Sequence, residues 1–466
     1  MTRQLFVRAF VLVGLCGLGA GLCPLPAASA GGDLKAALET SSVYPYPWSG
    51  TTVDFWRDVG AELGVAVAPN TGEPYVSYYD SNGGDLWFAR YVSSGGNCGA
   101  GDWSCQLVDG AGNVGRYSSI AVFTDAAGLN VVISYYDVTN GSLKVARAVC
   151  AAICPFETWT IDGGYPPGGS YTGRHTSVAY SPYGGGMINV AYQEVQDSGG
   201  ESLRYAQTVA SGGDCGAGGA AGRWHCWTLY SGEGLGSFNW LTLDSSLMPH
   251  LSFYDGFRPL HAWFGASGWD LSTADIFTHY EGLSVSHFTE ASGVPHLAFL
   301  DDSTDELVYA SYVGSGGNCG WDSTTGNWEY WCDVIDEVGT VDLSNRTAAM
   351  TADPAGAPII AYRYALGTSY SSLMLAQPLW AAPPGSVGNC GPEDIWWVCT
   401  VADGGMSDVY EAGGVSIASN AYGTAIAYRE YITMNNPSLK VMWRFVPLFG
   451  DGFESGGTGS WSTTVP

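Results

Sequence analysis

Apolar and polar residues alternate in short runs along most of this chain, and glycine-rich turns separate the runs. This pattern is typical of half-buried β-strands. The clearest unit has an alternating run over residues 119–122, a turn at Gly128, a second run over 131–137 and a third over 142–146. The unit therefore predicts three successive antiparallel strands.

The second run of this unit, which in most copies ends in an aromatic residue followed by an acid or an arginine, recurs along the chain. Its seven copies cover residues 75–80, 131–137, 189–192, 251–255, 297–301, 359–363 and 425–429. Repetition at this spacing predicts one repeat architecture for a chain that is too long for a single ordinary core.

A fourth segment, with a tryptophan and a run toward an acid or a similar residue, follows most copies. It covers residues 103–109, 159–162, 224–230, 328–336 and 396–403, with a weaker version around Trp269. Seven units of four short strands predict an all-β fold, a seven-bladed β-propeller over residues 48–446 with four antiparallel strands per blade.

The seventh unit has no obvious fourth segment of its own. Residues 48–54, which precede the first unit, match the fourth-segment phrase. We therefore expect this N-terminal strand to complete the last blade, which removes an open strand edge. The alternative is an ordered lead-in strand without a closing role.

The two ends of the chain differ from the repeats. Arg3 and Arg8, an apolar run over 9–22 and the small residues 28–30 form the layout of a secretory signal peptide, which predicts a leader over 1–30 and an N-terminal lead over 31–47. No later stretch approaches the about 20 apolar residues of a membrane-spanning helix. The expected location is secreted or in the cell envelope, and we expect a monomer.

The composition is acidic and rich in glycine and aromatic residues. Asp and Glu number 44 against 17 Lys and Arg, for a net charge of −27. Such a field repels nucleic acids and anionic membrane surfaces, so a nucleic-acid partner is not expected.

Ten cysteines follow the leader, in five close pairs. The pairs are Cys98 with Cys105, Cys150 with Cys154, Cys215 with Cys226, Cys319 with Cys332, and Cys390 with Cys399. Each spans the predicted turn between the third and fourth strands of a blade, and an exported chain favours disulfides there. Zinc is the rival interpretation, but no two pairs adjoin at the spacing of a zinc site.

Acids end the second strand of several blades and should form a partial ring on one face: Asp80, Asp137, Asp255 and Asp301, with Asp302 beside it. Such a ring could bind a cation, such as calcium, or a polyhydroxylated ligand. The simpler interpretation is turn chemistry, which Asp favours at strand exits. Arg363 and Arg429 replace the acid in blades 6 and 7, and a site is expected where symmetry is broken.

Other chemistry is weakly indicated. His250 and His296 lie at matching positions of adjacent units, but repeats create such pairs automatically and no third ligand is identifiable, so no metal is predicted. The recurrent tryptophans could stack on sugars, although packing between blades explains them equally well. Neither G-x-S-x-G nor H-E-x-x-H occurs, no cofactor is predicted, and paired carboxylates remain an open route to hydrolysis.

The Ser-Tyr-Tyr-Asp repeats resemble exported bacterial propellers related in architecture to the sialidase-like group. That resemblance implies a Phe-Arg-Ile-Pro segment, Asp boxes, three arginines and a Tyr/Glu pair. Here only Gly256-Phe257-Arg258-Pro259 approaches the first motif, and no intact Asp box is found. Catalytic roles are therefore not transferred. Residues 447–466 resemble the Gly-Phe-Glu-Ser-Gly tail of many exported bacterial proteins, which implies a sorting or export tag.

Three functions follow as hypotheses. The leading one is a non-catalytic extracellular module that binds a glycan or another surface polymer. The second is a sialidase-like glycoside hydrolase that uses Arg258, Arg363 and Arg429. The third is a purely structural surface protein.

Overall fold

The computed structural model describes residues 48–445 apart from 164–168, 184–185, 266–267, 276–280, 340–345, 367–369, 383–384, 404–413 and 434–435. The proposed leader, the N-terminal lead and the C-terminal tail lie outside the described residues. Within them the chain forms seven antiparallel sheets arranged as a seven-bladed β-propeller, which confirms the predicted fold. No helix in the described part is long and apolar enough to cross a membrane.

The strands follow one another blade by blade, and consecutive strands are neighbours in each sheet, except that the order in blade 5 is β18-β19-β20-β22-β21. Their bounds are β1 (Ser49–Asp54); in blade 1, β2 (Val59–Val67), β3 (Pro74–Asp80), β4 (Asp85–Tyr91) and β5 (Trp103–Asp109); in blade 2, β6 (Val114–Asp125), β7 (Gly128–Asp137), β8 (Ser142–Cys150) and β9 (Glu157–Asp162); in blade 3, β10 (Ser170–Ser181), β11 (Met187–Gln196), β12 (Glu201–Thr208) and β13 (Trp224–Gly232); in blade 4, β14 (Ser237–Leu243), β15 (Pro249–Tyr254), β16 (Pro259–Gly265) and β17 (Gly268–Thr273); in blade 5, β18 (Glu281–Thr289), β19 (Pro295–Asp301), β20 (Glu306–Tyr312), β21 (Cys319–Asp322) and β22 (Asn327–Glu337); in blade 6, β23 (Ala348–Ala352), β24 (Pro358–Leu366), β25 (Tyr370–Pro378) and β26 (Trp397–Asp403); and in blade 7, β27 (Val415–Asn420), β28 (Gly423–Thr433) and β29 (Asn436–Phe445).

Blade 7 is completed by β1, as the sequence predicts. Ser49 pairs with Trp443 and Thr51 with Val441, so β1 is the outermost strand of the last blade. Val53 is fully buried there. The ring is therefore closed by hydrogen bonds between the two ends of the propeller, and the alternative of a lead-in strand without a closing role is wrong.

The first strand of each blade packs on the first strand of the next, from β2 around to β27, which returns to β2. Serine hydroxyls accept hydrogen bonds from backbone N–H groups across these contacts. They are Ser119 from Val178, Ser177 from Leu241, Ser286 from Met350 and Ser416 from Val65, with N···O distances of 2.9–3.2 Å. The alternating pattern places these polar groups between first strands, where each is satisfied by a neighbouring blade.

A second contact between blades explains why the repeat contains both a Tyr-Tyr-Asp phrase and a terminal acid. In this contact, which we call the staple, the first tyrosine of the phrase is buried and donates its hydroxyl to an acid at or near the end of the fourth strand in the sheet of the preceding blade. The pairs are Tyr78 with Asp54, Tyr135 with Asp109, Tyr192 with Asp162, Tyr362 with Asp336, and Tyr428 with Asp403.

In three of these pairs a cation on the third strand joins the acid. Lys144 lies 2.5 Å from Asp109, Arg204 lies 3.3 Å from Asp162, and Lys440 lies 2.6 Å from Asp403. Burial disfavours the charged form of Asp109, but hydrogen bonds from Lys144 and Tyr135 outweigh it and hold the pKa of this carboxyl below its ordinary value. In this staple, the Asp109 carboxylate accepts a hydrogen bond from a phenol and forms an ion pair with a cation.

Blades 4 and 5 lack this staple because both partners change together. Phe253 and Phe299 replace the tyrosine and are fully buried. Phe253 faces Tyr230 of the preceding blade, with ring centroids 6.1 Å apart. An apolar contact thus replaces a buried charge, which leaves no acid without a partner.

All five predicted disulfides are present, with Cα–Cα distances of 4.3–6.0 Å. An asparagine beside the first cysteine often pairs with the backbone of the second: Asn97 accepts from the N–H of Cys105 at 2.7 Å and donates to its carbonyl at 2.9 Å. A Cβ on Gly96 would stand 1.9 Å from the Trp103 carbonyl oxygen, which explains the glycine in the motif. Disulfides of this number are typical of an oxidising compartment.

Packing between blades accounts for several of the recurrent aromatic residues. Trp103, Trp224 and Trp397 are buried, and Trp103 donates to Thr51 of the closing strand at 2.7 Å. The sequence assigns the sixth fourth-strand tryptophan to Trp396, but Trp397 is the buried one. Trp396 is 57% exposed because it precedes the strand.

Candidate functional site

The face that carries the turns between second and third strands also carries the start of each first strand. There the first strands bulge: pairing of β6 with β7 shifts between Val114 and Arg116 and again before Ser119. Gly115, Gly173, Gly236 and Gly282 open four of these bulges with φ between 88° and 110°. Glycine is suited to this backbone, and the bulges re-aim the residues that follow it.

Three aromatic rings follow these glycines in successive blades, and we call them the aromatic arc: Tyr117, His175 and Phe238. All three have positive φ, at 54°, 47° and 54°. The Tyr117 and His175 rings are 4.4 Å apart, and the His175 and Phe238 rings are 5.2 Å apart. Side chains of this size rarely adopt such a backbone.

The aromatic arc lines a cavity of about 650 Å³. We call it the central cavity, and its size is within the range of small-molecule sites. Polar and further apolar groups from five blades complete the wall: Ala61, Glu62, Tyr79, Ser81, Asn113, Arg116, Ser237, Tyr254, Leu283, Asp302 and Arg429. The combination of ring faces and convergent polar groups suits a ligand with both apolar faces and hydroxyl groups.

Glu62 organises one side of the central cavity. Its carboxylate accepts two hydrogen bonds from Arg116, at 2.9 and 2.5 Å, and one from the backbone N–H of Tyr117 at 2.6 Å. Burial opposes the charge on Arg116, but Glu62 raises the pKa of this guanidinium above its ordinary value. This carboxylate therefore holds the bulge that presents Tyr117.

Arg346 precedes β23 of blade 6, and its side chain extends to the first strands of blades 4 and 5. Its guanidinium donates to the carbonyls of Ser284 and Val285 in blade 5 and of Phe238 and Asn239 in blade 4, at 2.6–3.3 Å. Burial lowers the pKa of Arg346 to about 9. Burial, together with the charges of Arg346, Arg174 and Arg116, lowers the pKa of His175 to about 3, so the ring in the arc is neutral at physiological pH.

The predicted ring of acids lies at this face, because Asp80 pairs with Val59, Asp137 with Val114 and Asp301 with Glu281 at the start of a first strand. Their carboxylates turn back into their own loops. Asp80 accepts from the N–H of Asn82, Asp137 from that of Asn140, Asp255 from that of Phe257 and Asp301 from that of Ser303, at 2.8–3.0 Å. These hydrogen bonds are the turn contacts that Asp favours at strand exits. Their neighbours Ser81 and Asp302 line the central cavity instead.

The arginines that break the repeat are placed differently from one another. Arg429 lines the central cavity and lies 2.7 Å from Asp58. Arg363 is half-buried in β24, and its N–H donates to the Thr347 carbonyl at 2.9 Å. Arg258 is exposed and pairs with Asp255 at 3.1 Å. Of the three, only Arg429 is part of the wall.

His250 and His296 are both buried but have different partners. His296 contacts the Tyr309 hydroxyl at 2.6 Å and Glu290 at 2.9 Å. His250 lies 3.1 Å from His261, and the His287 ring centroid lies 5.5 Å from that of His261. No pattern in the sequence connects His261 with His250. Within the described ranges, no group of three or more His, Cys, Asp or Glu side chains is placed to hold a metal ion.

The residues that sequence reasoning missed are Glu62, Arg116, Tyr117, His175 and Phe238. A signal for three of them exists: the phrases Gly-Arg-Tyr-Ser, Gly-Arg-His-Thr and Gly-Ser-Phe-Asn begin at Gly115, Gly173 and Gly236. They lie just ahead of the alternating runs, where a glycine followed by an aromatic residue indicates a bulge rather than regular strand.

No family model and no curated protein matches this chain. Solved structures with some similarity include a mutant Aleuria aurantia lectin in complex with Fucalpha1-6GlcNAc (13% identity, 77% of this chain and 100% of that chain, TM-score 0.44). Others are a protein of unknown function from Dyadobacter fermentans (9%, 85% and 98%, 0.42) and the polysaccharide lyase Uly1 (9%, 88% and 91%, 0.40). At this level of similarity the neighbours' ligands and reactions are not transferred to this chain.

Proposed function

We propose that this protein is an exported carbohydrate-binding propeller and that its ligand occupies the central cavity. The observation that carries the proposal is the aromatic arc. Gly414 adopts the corresponding backbone in blade 7, with φ of 76°. Glycine is the residue that this conformation favours, whereas an aromatic residue there is strained by about 1–3 kcal/mol. Aromatic residues at three successive positions against that preference point to a role in binding.

The remaining wall supports the same ligand class. Ring faces stack on the apolar faces of sugars, and Asn113, Asp302 and Ser237 offer acceptors and donors for hydroxyl groups. Glu62 and Arg429 are held by Arg116 and Asp58, which fixes the shape of the wall before a ligand arrives. A preformed wall lowers the entropic cost of binding.

The test is a glycan array probed with the purified protein, followed by calorimetry on the best ligand. Tyr117→Asn removes one ring of the arc while keeping a residue that tolerates positive φ. We expect it to weaken binding at least about tenfold, because one stacked ring contributes on the order of 1.4 kcal/mol. Trp380→Ala is the matched control, since Trp380 is 76% exposed on the turn after a third strand, at the opposite end of its blade. Equal losses in both variants, or none in either, contradict the cavity as the site.

A glycoside hydrolase is the second candidate, and one observation favours it. Burial, with the charges of Asp305 and Asp301, raises the pKa of Asp302 above its ordinary value, and this carboxyl shares the cavity with Glu62. Glycoside hydrolysis uses two carboxyl groups, one of which is a general acid with a raised pKa. Turnover of fluorogenic glycosides that is abolished by Asp302→Asn would establish it, whereas turnover unaffected by that change rejects this pair. Absence of any ligand and any turnover would favour a structural surface role.

A further inference from the structure

Three arginines occupy one position of the repeat. In each of their blades, the residue just before the tyrosine of the staple pairs with a residue of the first strand. Arg116, Arg174 and Arg346 each lie three residues before that first-strand residue. The pairs are Ser119 with Ser134, Ser177 with Ala191, and Ala349 with Ala361. The three arginines therefore occupy equivalent positions at the first strands of blades 2, 3 and 6.

The side chains of two of these arginines have hydrogen-bond partners in the protein, and that of the third has none among the described residues. Arg116 has Glu62, and Arg346 has backbone carbonyls of two blades. The Arg174 side chain has neither a hydrogen bond nor an ion pair with any residue that the structure describes, and its Nε is buried without a partner. Acids outnumber basic residues 44 to 17 in this chain, so a shortage of carboxylates does not explain the difference.

The acids near Arg174 are engaged elsewhere. Glu194, which follows the strand partner of Arg174, binds Arg204 at 3.1 Å. Burial raises the pKa of Glu201, which disfavours its charged form although the charge of Arg174 opposes this. A half-buried guanidinium without a counterion is unfavourable, so an external anion would be bound there with a gain in stability.

Arg174 is also close to the aromatic arc. It precedes His175, and its charge acts on the phenols of Tyr117 and Tyr136 and on the His175 ring. Arg174 is not one of the residues that line the central cavity, so an anion at Arg174 would lie beside the cavity wall, next to His175. The guanidinium fork matches the two oxygens of a carboxylate or sulfate.

We propose that Arg174 binds the anionic group of an acidic glycan whose sugar ring occupies the central cavity. This inference rests on the proposed function and names its ligand class. The net charge of −27 repels polyanions at long range, so recognition of an acid requires a local cation of this kind.

The experiment compares matched pairs of oligosaccharides that differ only in the acid: a uronic acid against its methyl ester, and a sulfated sugar against the unsulfated one. The two pairs separate carboxylate from sulfate. We expect the wild type to bind one acidic member at least about tenfold more tightly than its neutral counterpart, as a charged hydrogen bond allows. Arg174→Gln should abolish that preference without weakening binding of the neutral member. The exposed Arg223→Gln is the control.

Folding of the variant provides an independent readout. Since the Arg174 side chain has no partner among the described residues, Arg174→Gln should unfold at the wild-type temperature or above it, whereas Arg116→Gln should unfold at a lower one. A preference for acids that survives Arg174→Gln, or equal binding of acidic and neutral members by the wild type, overturns this inference and leaves the proposed function standing. Failure of the wild type to bind any carbohydrate overturns both.

Discussion

The staple between Tyr135 and Asp109 provides the most direct test of how the blades are joined. The hydroxyl of Tyr135 donates to Asp109 at 2.7 Å, and both side chains are buried. Tyr135→Phe removes this hydrogen bond and leaves the ring in place. A hydrogen bond to a charged group contributes about 1.5–3 kcal/mol, and the bonds that Asp109 keeps with Lys144 and the Ala111 N–H place the expected loss near the lower end.

The assay is guanidinium unfolding followed by tryptophan fluorescence, with Asp109→Asn and the double variant completing a mutant cycle. We expect a coupling energy of about 1 kcal/mol or more, because the two groups contact each other directly. Tyr183→Phe is the control, since its side chain is 70% exposed. A surface change usually alters the free energy of unfolding by less than about 0.5 kcal/mol. If the free energy of unfolding of Tyr135→Phe lies within about 0.5 kcal/mol of that of this control, the staple does not stabilise the ring.

Three further predictions concern stability. Burial is the chief cause that lowers the pKa values of His250, His261 and His287. The folded protein therefore takes up fewer protons at these rings than the unfolded chain does below about pH 6.5. The unfolding temperature should therefore fall as the pH drops from 7 toward 5, and a flat profile over that interval would contradict the argument. Deletion of residues 48–54 should lower stability and promote aggregation through the uncovered edge of β29, which light scattering detects; an unchanged monomer would show that β1 is dispensable. Gly96→Ala should destabilise the protein by about 1–3 kcal/mol because its Cβ meets the Trp103 carbonyl. Gly163→Ala is its control in the same unfolding assay, because a Cβ on Gly163 meets nothing within 4 Å and Gly163 does not have a positive φ.

Features that depend on strand period and local spacing could be predicted from the sequence. The seven blades, closure by β1 and the five disulfides follow from alternation, from repetition and from cysteines that lie a few residues apart. Trp396 was mistaken for its buried neighbour because a one-residue shift reverses the face of a strand. The contact of His250 with His261 could not be predicted either, since His261 lies on the next strand and the two rings meet only because of the strand register.

The candidate site could be predicted only in part. The acids at strand exits lie on the face that carries the central cavity. Whether Asp301 or Asp302 lines the cavity depends on the turn, where Asp301 binds its own loop. Tyr117 and His175 were missed because a bulge changes the direction of side chains that a period of two would assign. The unpaired state of Arg174 is invisible in the sequence, because it depends on where Glu62 and Glu194 find other partners.

Pairing of β1 with β29 sets an order of assembly. Each disulfide joins cysteines 4 to 13 residues apart, so a hairpin can be locked before the rest of the ring has formed. Among the strand pairings of the described residues, that of Ser49 with Trp443 joins the positions farthest apart in sequence, and its loop-closure entropy is lost only when β29 is in place. Until β29 is in place, β1 has no strand to pair with. A chain that stops before β29 therefore leaves β1 unpaired and the ring open.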